Sequence, residues 1–246
     1  MSQRVAYVTG GMGGIGTAIC QQLAREGFRV VAGCGPNSSR KNRWLAEQKE
    51  LGFEFVASEG NVSEWESTKA AFDKVKVELG TVSVLVNNAG ITKDGVFRKM
   101  SVEDWMAVIA TNLNSLFFVT KQVVDGMLDQ GWGRIVNISS MNGQRGQFGQ
   151  TNYSTAKAGM HGFTMSLAQE VASKGVTVNT VSPGYIGTEM VRAIREDVLE
   201  KIVSTIPVKR LGKPEEIASI VGWLATDAAG FTTGANFACN GGNYMT

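Results

Sequence analysis

The sequence predicts an α/β protein with a doubly wound parallel sheet of about seven strands and helices on both faces. Short apolar runs alternate with longer helical patterns along the 246 residues. Several runs are rich in valine and isoleucine and almost continuously apolar, which is typical of parallel strands buried on both faces. Because strands and helices alternate, we expect right-handed crossovers within one sheet. We therefore expect a single domain over residues 1–246.

The apolar runs and the patterns between them predict the individual elements. The expected strands are Val5–Val8, Arg29–Ala32, Glu54–Ala57, Val82–Val86, Arg134–Ile138, Val176–Val181 and Asn236–Cys239. The expected helices are Gly14–Glu26, Arg40–Leu51, Ser63–Leu79, Val102–Gln130, Asn152–Lys174 and Pro214–Ala225. Four of these helices are followed by a glycine in the position that favours a left-handed helix end: Gly27, Gly52, Gly80 and Gly175.

Two further local predictions concern the third helix and the least regular stretch. Ser63 precedes two acids and is expected to cap the third helix. The stretch Gly184–Leu211 shows the weakest regular pattern, and we expect it to form a loop with short helices that acts as a substrate lid.

Composition and charge exclude several functional classes. The chain is 43% hydrophobic and 19% charged, which is ordinary for a globular protein. Its net charge of +2 includes no basic run, so we expect no nucleic-acid partner. No apolar stretch is long enough to cross a bilayer, and the N-terminus resembles no signal peptide. Three scattered cysteines and one histidine predict no disulfide framework and no metal site, so we expect a cytoplasmic protein.

The first strand runs directly into a glycine-rich turn, which predicts a dinucleotide site. Residues 9–16 read TGGMGGIG, and a helical pattern follows. Glycines here allow a tight turn and a close approach of backbone N–H groups to a pyrophosphate, whose charge the helix N-terminus favours. A strand, a glycine turn and a helix in this order indicate a Rossmann fold rather than a plain turn. The expected cofactor contacts are Gly10, Met12, Gly13, Gly14, Ile15 and Gly16.

The residues after the second strand favour NADPH over NADH. Sites for NADH usually place an acid about 20 residues after the glycine motif, to bind the ribose 2′-hydroxyl. Residues 33–41 read GCGPNSSRK and contain no acid. A guanidinium suits a 2′-phosphate, so we predict NADPH/NADP+ as the cofactor, with Gly35 and Arg40 in its site. The alternative is that these basic residues simply begin a solvated helix.

Tyr153 and Lys157 stand four residues apart on a predicted helix and therefore on one face. A phenol is a poor acid at neutral pH, and a nearby ammonium is expected to lower its pKa. Tyr153 is then able to donate a proton to a carbonyl oxygen while a hydride reaches the carbonyl carbon. Ser139 and Ser140 end a predicted strand, at the edge where open α/β sheets carry their sites. Either hydroxyl is suited to bond the carbonyl oxygen.

Together these features resemble the short-chain dehydrogenases/reductases over nearly the whole chain. Order and spacing both agree for TGxxxGxG at residues 9–16, NNAG at residues 87–90, Asn112, Ser140, YxxxK at residues 153–157 and Pro183-Gly184. The resemblance implies that Ser140 is the catalytic serine and that Asn112 holds a water in a proton relay ending at Lys157. It also implies cofactor contacts from Gly60, Asn61, Val62, Asn88, Ala89, Gly90, Ile91, Pro183, Gly184, Ile186 and Thr188. At Asn61, many members of the family have an aspartate.

Within this family, residues 90–94, 146–153 and 206–212 resemble the reductases of 3-oxoacyl thioesters. Residues 33–37 and 142–150 resemble most the acetoacetyl-CoA reductases of polyhydroxybutyrate synthesis. The resemblance implies NADPH-dependent reduction of acetoacetyl-CoA to (R)-3-hydroxybutyryl-CoA. The alternative is reduction of 3-oxoacyl groups on acyl carrier protein, in fatty acid synthesis. The expected substrate contacts are Asp94, Gln147, Phe148, Gln150, Tyr185 and Arg195.

Three questions stay open at this point. Basic residues suited to an anionic CoA are present, but they fit a solvated face equally well: Lys93, Lys99, Arg145, Arg192 and Arg195. The family resemblance implies a homotetramer with a four-helix contact from the patterns at residues 102–130 and 152–174, and a second interface that includes residues 241–245. A non-catalytic dinucleotide sensor is the alternative from another class, and the intact set of Ser140, Tyr153, Lys157 and Asn112 argues against it.

Overall fold

Seven strands form one sheet in the computed structural model of the chain, which describes residues 3–192 and 194–245. The strands are β1 (Val5–Val8), β2 (Arg29–Cys34), β3 (Val56–Glu59), β4 (Val82–Asn87), β5 (Gly133–Ile138), β6 (Val176–Pro183) and β7 (Asn236–Cys239). Their order across the sheet is β3-β2-β1-β4-β5-β6-β7, and each neighbouring pair is parallel. The order reverses beside β1, so the predicted doubly wound α/β fold is confirmed.

Helices connect the strands and cover both faces of the sheet. They are α1 (Gly14–Arg25), α2 (Lys41–Glu50), α3 (Trp65–Leu79), α4 (Val102–Ile109), α5 (Ser115–Lys121), α6 (Val124–Gln130), α7 (Met141–Arg145), α8 (Thr151–Val171), α9 (Glu189–Arg192), α10 (Glu196–Thr205) and α11 (Pro214–Leu224). The predicted lid stretch contains α9 and α10. The four glycines expected after helices all have positive φ, between 76° and 89°. None of the described helices is long and apolar enough to cross a bilayer.

Two apolar cores lie on opposite faces of the sheet. Val84 and Val86 of β4 point into the core beneath α1 and α11, while Leu85 between them points into the core beneath α3 and α8. This alternation follows from the two-residue period of a strand. A strand must be apolar on both sides to satisfy both cores, which explains the continuous apolar runs in the sequence.

Three predicted elements differ from the structure. The third strand, expected at Glu54–Ala57, lies two residues later, at Val56–Glu59. The single helix expected over Val102–Gln130 is divided into α4, a π-helical turn (Ala110–Asn114), α5 and α6. The predicted cap at Ser63 is also wrong, because α3 begins at Trp65 with Glu64 in the cap position. The Ser63 hydroxyl donates instead to Asn61 Oδ1, at 2.8 Å.

A row of buried polar side chains crosses three central strands. Asn87 of β4 is in register with Asn137 of β5, which is in register with Thr180 of β6. The Asn87 amide donates to Asn137 Oδ1 at 2.8 Å, and Asn137 Nδ2 donates to Thr164 Oγ1 of α8 at 2.9 Å. Thr164 and Thr180 share a further hydrogen bond of 2.8 Å. This row of hydrogen bonds fixes the position of α8 relative to the sheet.

We predict that Asn137→Ala lowers the free energy of unfolding by about 3 kcal/mol, because it removes two buried hydrogen bonds and leaves a small cavity in place of the amide. Urea unfolding of the variant beside the wild type measures this loss. Asn42→Ala, at an exposed position on α2, is the matched control. A loss no larger than that of the control would contradict the importance of the row.

Candidate active site

A cavity of about 280 Å³ opens at the carboxyl edge of β4, β5 and β6. It brings together Ser140, Tyr153 and Lys157, three residues that come from two separate segments of the chain. Further predicted site residues line it: Ile15, Asn88, Gly90, Ile91, Pro183, Gly184, Tyr185, Ile186 and Thr188. A second cavity of about 340 Å³ shares Gly90 and Ile91 with the first. Its lining includes Gly10, Gly35, Gly60, Asn61, Val62 and Ala89.

Lys157 is buried on α8, one turn after Tyr153. Its Nζ donates a hydrogen bond of 2.7 Å to the carbonyl oxygen of Ile138, at the end of β5. The same ammonium lies 5.7 Å from the centre of the Tyr153 ring. Burial lowers the pKa of Lys157 to about 7, because the charged form loses its hydration. The amine therefore changes its protonation state near neutral pH.

The pKa of Tyr153 is raised above its ordinary value, which contradicts the expected lowering by Lys157. Burial of the phenol is the main cause, since it disfavours the phenolate. A hydrogen bond with Ser140 acts in the opposite direction, and the charge of Asp94 raises the pKa further. Lys157 does not reverse the effect, because its own charge is disfavoured by burial. Tyr153 is consequently protonated at neutral pH.

Ser140 and Ser139 have different tasks at the end of β5. Ser140 caps α7, and its Oγ accepts the backbone N–H of Asn142 at 3.1 Å. Ser139 is buried, and its hydroxyl donates to the carbonyl oxygen of Lys157 at 2.9 Å. His161 Nε2 lies 3.2 Å from the Ser139 hydroxyl. Both serines line the cavity, but the hydroxyl of Ser139 is engaged in holding the turn of α8 that contains Lys157.

Asn112 lies in the π-helical turn and is fully buried. Its Oδ1 accepts the N–H of Ile91 at 2.9 Å, and its Nδ2 donates to the carbonyl oxygen of the same residue at 2.8 Å. The side chain thus fixes the loop after β4, which forms the wall between the two cavities. A π-helical turn is a common feature of functional sites, because it displaces backbone groups from their regular partners.

The glycine-rich turn is attached to the end of β4 through Thr9 and Asn88. Thr9 Oγ1 accepts the backbone N–H groups of Asn88 and Ala89, at 2.9 and 3.0 Å. Asn88 Nδ2 donates back to the carbonyl oxygens of Thr9 and Gly10. A Cβ on Gly16 would lie only 2.2 Å from the Gly10 oxygen, so this close packing requires glycine. Thr9 belongs to the sequence motif, but the motif alone does not reveal its role as the link between the turn and β4.

The surroundings of the turn fit a dinucleotide. The first-turn N–H groups of α1 lack intrahelical partners, and that turn contains no acid. A Cβ on Gly35 would meet no atom within 4 Å, which leaves room for a ligand against the backbone. Arg40 occupies the cap position before α2, and its guanidinium lies 3.4 Å from the Glu189 carboxylate of α9. Asn61 donates to Glu64 at 2.7 Å and so supports the start of α3 with its side chain.

The predicted substrate residues divide into two groups. Tyr185 lines the 280 Å³ cavity, and Gln150 donates to Asp94 at 2.8 Å beside it. Phe148 is 87% exposed, and Arg195 pairs with Asp197 at 2.7 Å on the protein surface. Of the six predicted substrate residues, Tyr185 alone lines the cavity, whereas Asp94, Gln147, Phe148, Gln150 and Arg195 do not.

Four of the basic residues considered for CoA do not line the cavity: Lys93, Lys99, Arg145 and Arg195. Lys93 pairs with Asp104 at 3.8 Å, and Arg145 donates to Asn243 at 2.8 Å. The side chain of Arg192 lies outside the described part of the structure. For the four that are described, the structure therefore favours the alternative in which these cations belong to a solvated face.

Residues 4–199 match the model of the short chain dehydrogenase family. The chain belongs to this family. Its relatives include an acetoacetyl-CoA reductase of Cupriavidus necator, 76% identical over 100% of both chains, and nodulation protein G of Azospirillum brasilense, 58% identical over 100% of both. A 3-oxoacyl-acyl-carrier-protein reductase of Pseudomonas aeruginosa is 45% identical over 99% of this chain and 98% of its own. This short-chain dehydrogenase is thus an oxidoreductase, and its family uses a nicotinamide cofactor.

We predict that the wild type gains free energy of unfolding relative to Lys157→Met as the pH rises from 7 to 9. The folded-state pKa of Lys157, about 7, lies below the unfolded value of about 10.4. Between these two pKa values Lys157 binds more protons in the unfolded chain than in the folded chain. The free energy of unfolding of the wild type therefore rises with pH. Methionine removes this contribution. Urea unfolding of both proteins across the range gives the difference, and a difference independent of pH would contradict the buried neutral amine.

Proposed function

We propose that this short-chain dehydrogenase catalyses the NADPH-dependent reduction of acetoacetyl-CoA to (R)-3-hydroxybutyryl-CoA. The proposal is carried by the placement of Ser140, Tyr153 and Lys157 around one cavity beside the dinucleotide turn. Identity of 76% to an acetoacetyl-CoA reductase along the full chain supports the substrate. Further relatives of the same name, from Allochromatium vinosum and Rhizobium meliloti, are 53% and 52% identical. The (R) configuration rests on the family resemblance.

The hydroxyls of Ser140 and Tyr153 bind the carbonyl oxygen of the substrate. Tyr153 donates its proton to that oxygen, and its raised pKa keeps the proton in place at neutral pH until the oxygen becomes basic. The nicotinamide, when bound, supplies the hydride for the carbonyl carbon. The C=O π bond is replaced by one C–H bond and one O–H bond.

Lys157 and Asn112 support the return of a proton to Tyr153. Lys157 has a pKa of about 7, which suits a group that gains and loses a proton in each turnover. Asn112 holds the Ile91 backbone beside the cavity through two hydrogen bonds. We assign Lys157 the proton supply and Asn112 the organisation of the relay, as the family resemblance implies.

The lid is assigned to residues 184–211, which contain α9 and α10. Tyr185 and Ile186 line the cavity from this segment, and Gly187 donates to the Gly212 carbonyl oxygen at 2.8 Å. Closure over the thioester would exclude water from the reacting carbonyl and bring Arg195 nearer to the substrate.

Arg40 is assigned to the 2′-phosphate of NADPH. Its guanidinium faces an exposed carboxylate, Glu189, at 3.4 Å, and a phosphate is a stronger bidentate partner for the same group. The region between β2 and α2 carries no acid for a ribose 2′-hydroxyl. NADPH is therefore the proposed cofactor.

We propose a cytoplasmic homotetramer for the assembled enzyme. Large apolar side chains are exposed on α4, α5 and α8, among them Met106, Phe117 and Met165. An open groove of about 490 Å³ lies between α5, α6 and α8. Contiguous apolar surface of this kind favours association. A monomeric mass in solution would contradict this assembly.

We predict that Arg40→Ala lowers kcat/KM for NADPH by about ten- to a hundredfold, since a charge-assisted bond to phosphate is lost. The value for NADH should stay nearly unchanged. Arg43→Ala is the matched control, because Arg43 lies one turn along α2 and pairs with Glu47. An unchanged ratio of the two cofactor values in the Arg40 variant would exclude this assignment.

A comparison of acetoacetyl-CoA with acetoacetyl-acyl-carrier protein tests the thioester. With saturating NADPH, we expect a higher kcat/KM for the CoA thioester and loss of both activities in Tyr153→Phe. The 45% identity to a carrier-protein reductase makes that substrate the second candidate. A preference for the carrier protein of about tenfold, or roughly 1.4 kcal/mol, would assign the enzyme to the second reaction.

A further inference from the structure

A chain of side-chain hydrogen bonds links the two segments that contain Ser140 and Tyr153. Asn142 Nδ2 donates to Gln150 Oε1 at 2.9 Å, and Gln150 Nε2 donates to Asp94 Oδ2 at 2.8 Å. These three side chains belong to α7, to the residue that precedes α8 and to the loop after β4. This chain of hydrogen bonds, called the bridge below, joins three elements of the fold.

The bridge ends close to the reacting groups. Asn142 lies in the turn of α7 that Ser140 caps, and its own N–H binds Ser140 Oγ at 3.1 Å. Gln150 directly precedes α8, and its carbonyl oxygen accepts the N–H of Ser154 at 2.7 Å, in the turn that contains Tyr153. A shift of either amide would therefore move one hydroxyl relative to the other.

The hydrogen bond to Ser140 also directs its proton. One lone pair of the Oγ is occupied by the N–H of Asn142, so the hydroxyl hydrogen is available for another acceptor. A hydrogen bond between Ser140 and Tyr153 influences the pKa of the phenol. The orientation of Ser140 therefore matters to the group that donates the proton.

We propose that Asn142 and Gln150 are positioning residues that fix the hydroxyl of Ser140 against that of Tyr153, with Asp94 as the anchor of Gln150. This inference rests on the proposed carbonyl reduction at Ser140 and Tyr153. It assigns to Asp94 and Gln150 a role other than the direct substrate contact expected from sequence.

The burial of Asn142 explains why water does not easily replace the bridge. Asn142 is only 9% exposed, and its Oδ1 accepts a hydrogen bond from Arg145 Nε at 3.4 Å. Without Gln150 the Asn142 amide would be left with an unpaired donor in a nearly dry position, so the α7 turn would have to move. Ser140, as the cap of that turn, would move with it.

An exchange of donor and acceptor tests the bridge without deleting it. In Gln150→Glu the new carboxylate still accepts from Asn142 but faces the carboxylate of Asp94. We expect kcat to fall by about ten- to a hundredfold, since a small misplacement of reacting groups costs this much. Adding Asp94→Asn restores a donor opposite the new carboxylate, and the double variant should recover to within about threefold of the wild type. Failure of the double variant to recover would overturn the proposal.

Two substitutions by leucine provide an independent test of the bridge. Asn142→Leu and Gln150→Leu should each lower kcat, and the double variant should be no worse than either one, because both remove the same bond. Gln3→Leu is the control, since Gln3 binds Gly27 away from the cavity. Additive losses, or a raised KM with kcat unchanged in Gln150→Leu, would instead identify Gln150 as a direct substrate contact and overturn the positioning role.

Two measurements separate failure of this inference from other failures. NADPH affinity of all variants should match the wild type, and each variant should still unfold in one cooperative thermal transition, which shows that fold and cofactor site are intact. Tyr153→Phe tests the underlying reaction. If Tyr153→Phe is inactive while the bridge variants keep full kcat, the reaction stands and the bridge is overturned. If Tyr153→Phe stays fully active, the proposed function itself fails.

Discussion

Two hydrogen bonds between α8 and the end of β5 fix the candidate site. Lys157 Nζ donates to the carbonyl oxygen of Ile138, and the Ser139 hydroxyl donates to the carbonyl oxygen of Lys157. The helix is bound to the strand once by a side chain and once by its backbone. Because Ser140 is the second residue after the strand and Tyr153 lies one turn back on the helix, this junction determines where both hydroxyls lie.

The junction depends on close packing as well as on hydrogen bonds. A Cβ on Gly143 of α7 would lie 2.7 Å from the carbonyl carbon of Lys157, so only glycine permits this contact. The same packing buries Lys157 and lowers its pKa to about 7. Tertiary packing thus creates the acid–base property that the chemistry needs: a lysine that exchanges its proton near neutral pH beside a tyrosine that retains its own.

Sequence patterns predict those parts of the structure that are determined by residues close together in the chain. The apolar run of β1 and the glycines after it imply both the strand and the nucleotide turn, and the bounds predicted for the last strand match those observed. The prediction of a continuous helix over residues 102–130 is wrong at the π-helical turn, because a single locally widened turn leaves the apolar periodicity on either side almost unchanged. Properties set by distant contacts are also missed. The raised pKa of Tyr153 depends on burial, and the bond between Asn142 and Gln150 depends on how α7 folds back against the start of α8.

The most direct test of the account follows the hydride and the proton together. NADPH deuterated at the transferred position is incubated with acetoacetyl-CoA, and the product is analysed by mass spectrometry and chiral separation. The account predicts one deuterium at C3 of (R)-3-hydroxybutyryl-CoA, formed by the wild type and not by Tyr153→Phe. A product without deuterium at C3, or equal product from the variant, would contradict a reduction in which Tyr153 donates the proton.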